Sequence, residues 1–290
     1  MKINPILKKE LRVDTRSMRL SWLLMAINLL LAVIVILVMS FVEQEAVTGK
    51  YDYRGLANLF PVLAIVECIV LSLLIPVMTS GAISGERERK TLDIMLTTPM
   101  KPWSIVLGKL ESVLALVMLF VISGLPILAV PFIYGGMSWK RLVQYIFLLL
   151  FLGIYIGSVG IFCSSVMKRS MLAAVLTIGI GILILVVSTV GFYICVHLDG
   201  SGFVFGGMQK AGEWDWMFLA INPYLSFIEF LMKSTTGTGL LEESFAMADV
   251  RHLKILFDHW TLFSTILNLG VAALFLKLAT LKLAVKKRKK

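Results

Sequence analysis

The chain has 290 residues, 58% of them hydrophobic, with a formal net charge of +10 and three cysteines. An ordinary soluble domain is about 45–50% apolar. The excess here lies in long runs and lifts the mean hydropathy to +0.89, which excludes a soluble protein with an oversized core. The positive charge does not point to nucleic acid. The cations flank the apolar runs and crowd the tail KKRKK at 286–290, where they set membrane orientation and meet anionic lipid.

In chain order, the opening MKINPILKKELRVDTRSMRL places Ile3, Ile6, Leu7, Leu11, Met18 and Trp22 on one stripe at 100° per residue, with Lys8, Lys9, Arg12, Asp14, Arg16 and Arg19 mostly elsewhere. This predicts an amphipathic interface helix over 1–20, lying on the cytoplasmic face of a bilayer. A transmembrane helix needs about 20 mainly apolar residues, and six stretches qualify: 21–42, 60–83, 105–133, 142–167, 171–196 and 260–283. The first is too long for a signal-peptide core, so no cleavable signal is expected. Pro126 and Pro131 predict a kink or break near the far end of the third. Between spans five and six, the outer segment 198–258 opens Gly-rich, and Asn222-Pro223 reads as a helix start. Phe227, Phe230 and Leu231 then share one face. Two short, partly embedded helices are expected to cap the outer surface.

Six spans put both termini on one side. Of the 28 Lys and Arg, 20 fall on the side of the termini and 8 on the other, so the termini are expected in the cytoplasm. The whole chain, 1–290, reads as a single all-α transmembrane domain in the cell membrane, of prokaryotic type.

Catalytic signatures are missing. There is no G-x-x-x-x-G-K-[ST] phosphate loop; Leu107-Gly108-Lys109-Leu110 lacks both the upstream glycine and the hydroxyl. Neither HExxH nor G-x-S-x-G occurs. Cys68, Cys163 and Cys195 lie inside apolar runs without CxxC spacing, which supports neither zinc nor a disulfide framework. His252 and His259 with Asp258 make no more than a two-imidazole set, too little for a metal site. The 15 methionines are scattered among Leu and Val and read as packing. The chain is therefore not expected to be an enzyme. Glu67 stands apart. It lies about a third of the way into the second span from the outer side, where a carboxylate is costly and faces a bundle interior or an aqueous pathway. Lys109 and Glu111, near the inner end of the third span, read as snorkelling side chains.

The cytoplasmic link between spans two and three, SGERERKTLDIMLTTPMKPWSIVLGKL, carries five consecutive charges, Glu86-Arg87-Glu88-Arg89-Lys90. Glu86 and Lys90 have the favourable i,i+4 order of a helix pair; Leu92, Met95 and Leu96 continue an apolar face, and Pro99 and Pro102 stop it. A short amphipathic helix over 84–98 is expected. Two of the five charges are acidic, which topology alone does not require.

The run Ser84-Gly85-Glu86-Arg87-Glu88-Arg89-Lys90-Thr91-Leu92-Asp93-Ile94-Met95-Leu96, then Thr98-Pro99, then Ile105-Val106-Leu107-Gly108-Lys109, resembles the signature of ABC type-2 exporter permeases. The opening ILKKELR is similar to that family's N-terminal interface helix, and the six-span layout with a long loop before span six matches throughout. Two departures are Lys90, where the family often has Gly, and Met95-Leu96, where Leu-Leu is usual; Lys90 is expected to stiffen the helix start. The resemblance implies that 84–98 is a coupling helix docking on a separate ATP-binding subunit. Glu86, Arg87, Glu88, Arg89, Thr91 and Leu92 would be its contacts, and Lys168 and Arg169 of the 166–170 turn a lesser one. ATP and Mg²⁺ would bind that partner, and no cofactor this chain. A second permease chain, identical or paralogous, would complete a pathway carrying an amphipathic or lipid-like substrate outward, with Glu67 as a candidate lining residue. The rival readings are an ABC-like assembly with a sensing or scaffold role, and a stand-alone channel or lipid-handling protein.

Overall fold

In the computed structural model of the chain, the described residues are 7, 10, 18–47, 59–92, 97, 101–133, 138–198, 216–235, 237, 239 and 259–288. Among them, every regular element is a helix: α1 Met18–Val47, α2 Leu59–Ser80, α3 Ser84–Glu88, α4 Pro102–Ile133, α5 Trp139–Val166, α6 Ser170–Leu198, α7 Trp216–Ala220, α8 Pro223–Thr235 and α9 Trp260–Arg288. Six of these helical stretches are long and apolar enough to cross a membrane, as their sequences require, because about 20 residues at 1.5 Å each span a 30 Å hydrocarbon layer. The interface helix expected over 1–20 lies outside the described residues, except for the helical positions Leu7 and Glu10 and the start of α1 at Met18.

Helix α4 does not break. It runs through Pro126 and Pro131 to Ile133, since each proline removes one backbone donor, a loss a helix packed among others absorbs. Pro76 is accommodated within α2 in the same way.

The chain forms two compact units, one of Met1–Thr177 with Phe275–Lys290, the other of Ile178–Leu274. The first is organised around α5, whose apolar window is 72% buried, against 6% for α1; that contrast makes α5 the central post and α1 an outer wall. Small residues let α5 approach its neighbours. A Cβ on Gly160 would run into the Thr79 side chain of α2, and one on Gly157 would press on Leu110 of α4. Without hydrophobic drive between spans in lipid, such close backbone approach supplies the packing energy. At the end of this unit that holds α3, Ala82, Ile83 and Leu92 pack with Val106, Leu110, Ile161 and the α9 residues Leu276, Ala279 and Leu283. Glu10 reaches the same end through Lys109. Glu10 and the later part of α9 thus lie at the end of the unit that holds α3, as an even number of spans demands.

In the second unit the helix expected at Asn222-Pro223 does begin there. The Asn222 side chain accepts from the Tyr224 amide (3.0 Å) and donates to Ser188 (3.1 Å), so it caps α8 and ties it to α6. Phe227, Phe230 and Leu231 are buried on one face. Trp216, Leu219, Ala220 and Trp260 form a core with Phe192, Leu225 and Phe263. The carbonyl of Ala220, left open where α7 ends, accepts from Ser264 (2.7 Å) and Asn268 (2.9 Å) of α9, the backbone satisfaction that a helix end out of water requires.

Candidate functional site

The α2–α3 turn is held by hydroxyls from other spans. Ser164, fully buried near the end of α5, accepts from the amides of Ile83 and Ser84, both at 2.9 Å, and donates to the Ser80 carbonyl at 2.7 Å. Ser84 donates to the same carbonyl. The orphan donors at the start of α3 are therefore met by a side chain some 80 residues away in sequence.

The helix expected over 84–98 is interrupted. The Thr91 amide donates to the Glu86 carbonyl (2.9 Å) and the Lys90 amide to the Arg87 carbonyl (3.1 Å), the paired bonds of a Schellman C-cap. Lys90, one position past the C-cap Arg89, has φ 59°, a left-handed conformation that costs a residue with a Cβ about 1–2 kcal/mol. So Lys90 does not stiffen a continuing helix; it ends a short one, and the helical register that a Glu86–Lys90 pair requires is lost. Helix resumes at Leu92; residues 93–96, with Met95 and Leu96, lie outside the described set. Lys90→Gly is expected to stabilise the chain by about 0.5–1 kcal/mol, the relief of strain less the added unfolded-state freedom of glycine, read as a raised Tm in detergent.

The charges of this stretch divide by direction. Arg87 turns inward and donates to the carbonyls of Met167 (2.8 Å) and Ser165 (2.9 Å), a two-pronged fit that only a guanidinium offers the open carbonyls at the end of α5. Glu88 accepts from the Ser170 amide (2.8 Å) and hydroxyl (2.9 Å), placing a carboxylate at the positive start of α6. Together these two side chains clamp α3 to both ends of the α5–α6 turn. Glu86 accepts from the Thr91 hydroxyl and lies 3.8 Å from the Lys109 ammonium. Leu92 is buried in the core beneath the turn, a burial worth about 2 kcal/mol. What remains outermost is Glu88, Arg89 and Lys90 from one turn and Lys168 and Arg169 from the other, all exposed. The tip therefore carries four cations against one carboxylate, and that carboxylate already binds Ser170.

Of the residues expected to face a partner, the structure leaves Glu88, Arg89, Lys168 and Arg169 exposed, directs Glu86, Arg87 and Thr91 into internal bonds, and buries Leu92. Sequence reasoning missed Lys109. It does not snorkel; it is 6% exposed and ion-paired with Glu10 and Glu86. The signal was present as a lone cation eight residues into an apolar helix, with a hydroxyl three positions on at Ser112. Glu111 is exposed, as expected.

Glu67 is fully buried and accepts from the hydroxyl of Tyr145 on α5. Its other oxygen lies against Gly124 of α4, where a Cβ would overlap it. Tyr145 in turn packs edge-on against Phe60 at 5.4 Å. Nearby in sequence to Gly124, Ser123 accepts from Asn28 of α1 at 3.2 Å. Glu67 is thus a polar contact at the packing of α2, α4 and α5.

No curated protein matches the chain. A family model described as ABC-2 family transporter protein matches residues 4–284. That match takes in the α2–α4 link, the α5–α6 turn and all six apolar helices. With nearly its whole length matched and six helices long and apolar enough to cross a membrane, the chain belongs to the ABC-2 transporter family and is a multi-pass ABC permease.

Proposed function

We propose that this permease is the membrane subunit of an exporter driven by a separate ATPase, which docks on the basic tip formed by Arg89, Lys90, Lys168 and Arg169. The observation that carries the reading is the clamp of Arg87 and Glu88. It makes the exposed tip continuous with the ends of α5 and α6, so a push on the tip reaches two spans directly. The tip's charge fits an acidic surface on the motor, with exposed ion pairs supplying register and partner choice more than affinity. ATP and Mg²⁺ belong to that motor. The bias of cations toward the side of the termini and the α2–α4 link supports a cytoplasmic tip. Helix α1 presents Met25, Leu29, Ile36 and Phe41 outward, an apolar face that suits lipid or a second permease chain. An interior of Leu, Ile, Val and Gly suits an amphipathic, lipid-like cargo moving outward.

The test is co-purification from detergent-solubilised native membranes, with bound proteins identified by mass spectrometry. The wild-type chain is expected to bring down a nucleotide-binding ATPase. The chain carrying Arg89→Glu, Lys90→Glu, Lys168→Glu and Arg169→Glu is expected to lose it, because four reversals set like charges against the motor. Equal recovery by both chains, or none by the wild type, overturns the reading.

A further inference from the structure

Lys109 holds its charge almost entirely out of water, and a buried cation persists only where partners compensate it. Its partners come from two segments that the sequence keeps apart. Glu10, from the N-terminal segment, bonds the ammonium through one carboxylate oxygen and accepts from the Ser112 hydroxyl through the other. Glu86, from the α3 turn, lies 3.8 Å from the same ammonium. The two contacts are unequal: one is a direct bond, the other a charge held at the edge of ion-pair range. All four residues line one cleft of about 490 Å³, which also takes in Gly81, Gly85, Glu88 and Arg89. There is open space beside the turn for it to shift.

We infer that Lys109 is a positioning residue that links the N-terminal segment to the α3 turn, by sharing one buried cation between Glu10 and Glu86. The ammonium bonds Glu10 directly and lies too far from Glu86 to bond it, so what draws it toward one carboxylate draws it from the other. A shift of the turn toward α4 brings Glu86 into direct bonding and loosens the hold on Glu10; a shift away does the reverse. The buried setting makes that exchange strong, since charges there are poorly screened. The turn is also the base of the tip assigned above to motor docking, so the consequence for transport rests on that reading. The linkage itself does not.

The experiment therefore uses the full permease alone, in nanodiscs, with hydrogen–deuterium exchange of backbone amides. Glu10→Gln removes one competitor without touching the turn, and exchange at 84–92 is expected to slow several-fold as Glu86 closes on Lys109. Glu86→Gln is expected to slow exchange around Glu10. Lys109→Met is expected to speed exchange in both segments at least tenfold, and Lys109→Arg to restore both. A role confined to holding the fold together predicts the opposite sign for Glu10→Gln: unchanged or faster exchange at 84–92 overturns the proposal. Glu10→Gln and Glu86→Gln keep the cation and decide the matter even where Lys109→Met fails to fold. No ATPase enters the measurement, so an empty co-purification leaves this result standing, and the reverse holds too.

Discussion

Arg87→Met is expected to lower the stability of the detergent-solubilised permease by about 2–4 kcal/mol, seen as a clear fall in Tm. The loss follows from two carbonyls, those of buried Ser165 and half-buried Met167, which would lose their Arg87 donors; a buried group so orphaned costs about 1–3 kcal/mol, a half-buried one less. Arg87→Lys should fall between, because an ammonium restores charge and reaches one carbonyl without the planar fork that serves two. The result separates two readings of the same residue. If Arg87 faced the motor, its replacement would leave Tm unchanged and weaken ATPase recovery alone. An unchanged Tm would therefore remove the clamp from the account of how the tip is joined to α5 and α6.

Glu67→Ala is expected to cost about 3–5 kcal/mol. It opens a cavity where α2 meets α4 and α5 and takes from the buried Tyr145 hydroxyl the carboxylate to which it donates. Glu67→Gln should cost only about 1 kcal/mol, because the amide oxygen still accepts from Tyr145 while the new NH2 replaces the oxygen beside Gly124 that has no hydrogen-bond partner. Tyr145→Phe combined with Glu67→Gln should cost less than the sum of the single changes, since the two side chains share one bond. Thermal unfolding of the four variants measures this. The opposite pattern, in which Glu67→Ala keeps its Tm and transport alone suffers, would return Glu67 to the wall of a substrate pathway.

The spans were legible because each one is a property of its own residues. An apolar run such as 171–196 must become helix in lipid, where no water meets the backbone, and α6 follows it within two residues at either end. Asn222-Pro223 likewise announced α8 locally, through a cap and a ring that fixes φ. The family signature was legible for a related reason: GERE, the Gly-Lys pair at 108–109 and the KE pair at 9–10 are short patterns that survive being read in isolation.

Their mutual positions were not legible. Glu86 looked like one half of a helix pair with Lys90, because charge spacing within a presumed helix was all the sequence offered. The chain ends that helix at Arg89, and φ at Lys90 is a backbone choice no charge pattern encodes. Arg87 read as an exposed charge because its acceptors lie 78 and 80 residues away. Lys109 read as a snorkelling side chain because its nearest counter-charge in the network, Glu10, is 99 residues upstream.

By itself, then, the sequence determined that this is a six-span, all-helical permease with a charged link after its second span, since hydrophobic length and local turn chemistry depend on nearest neighbours. Only the tertiary structure decided which charges of that link face outward. The sign of a buried charge's energy depends on the partner that arrives beside it, and that partner comes from a distant part of the chain.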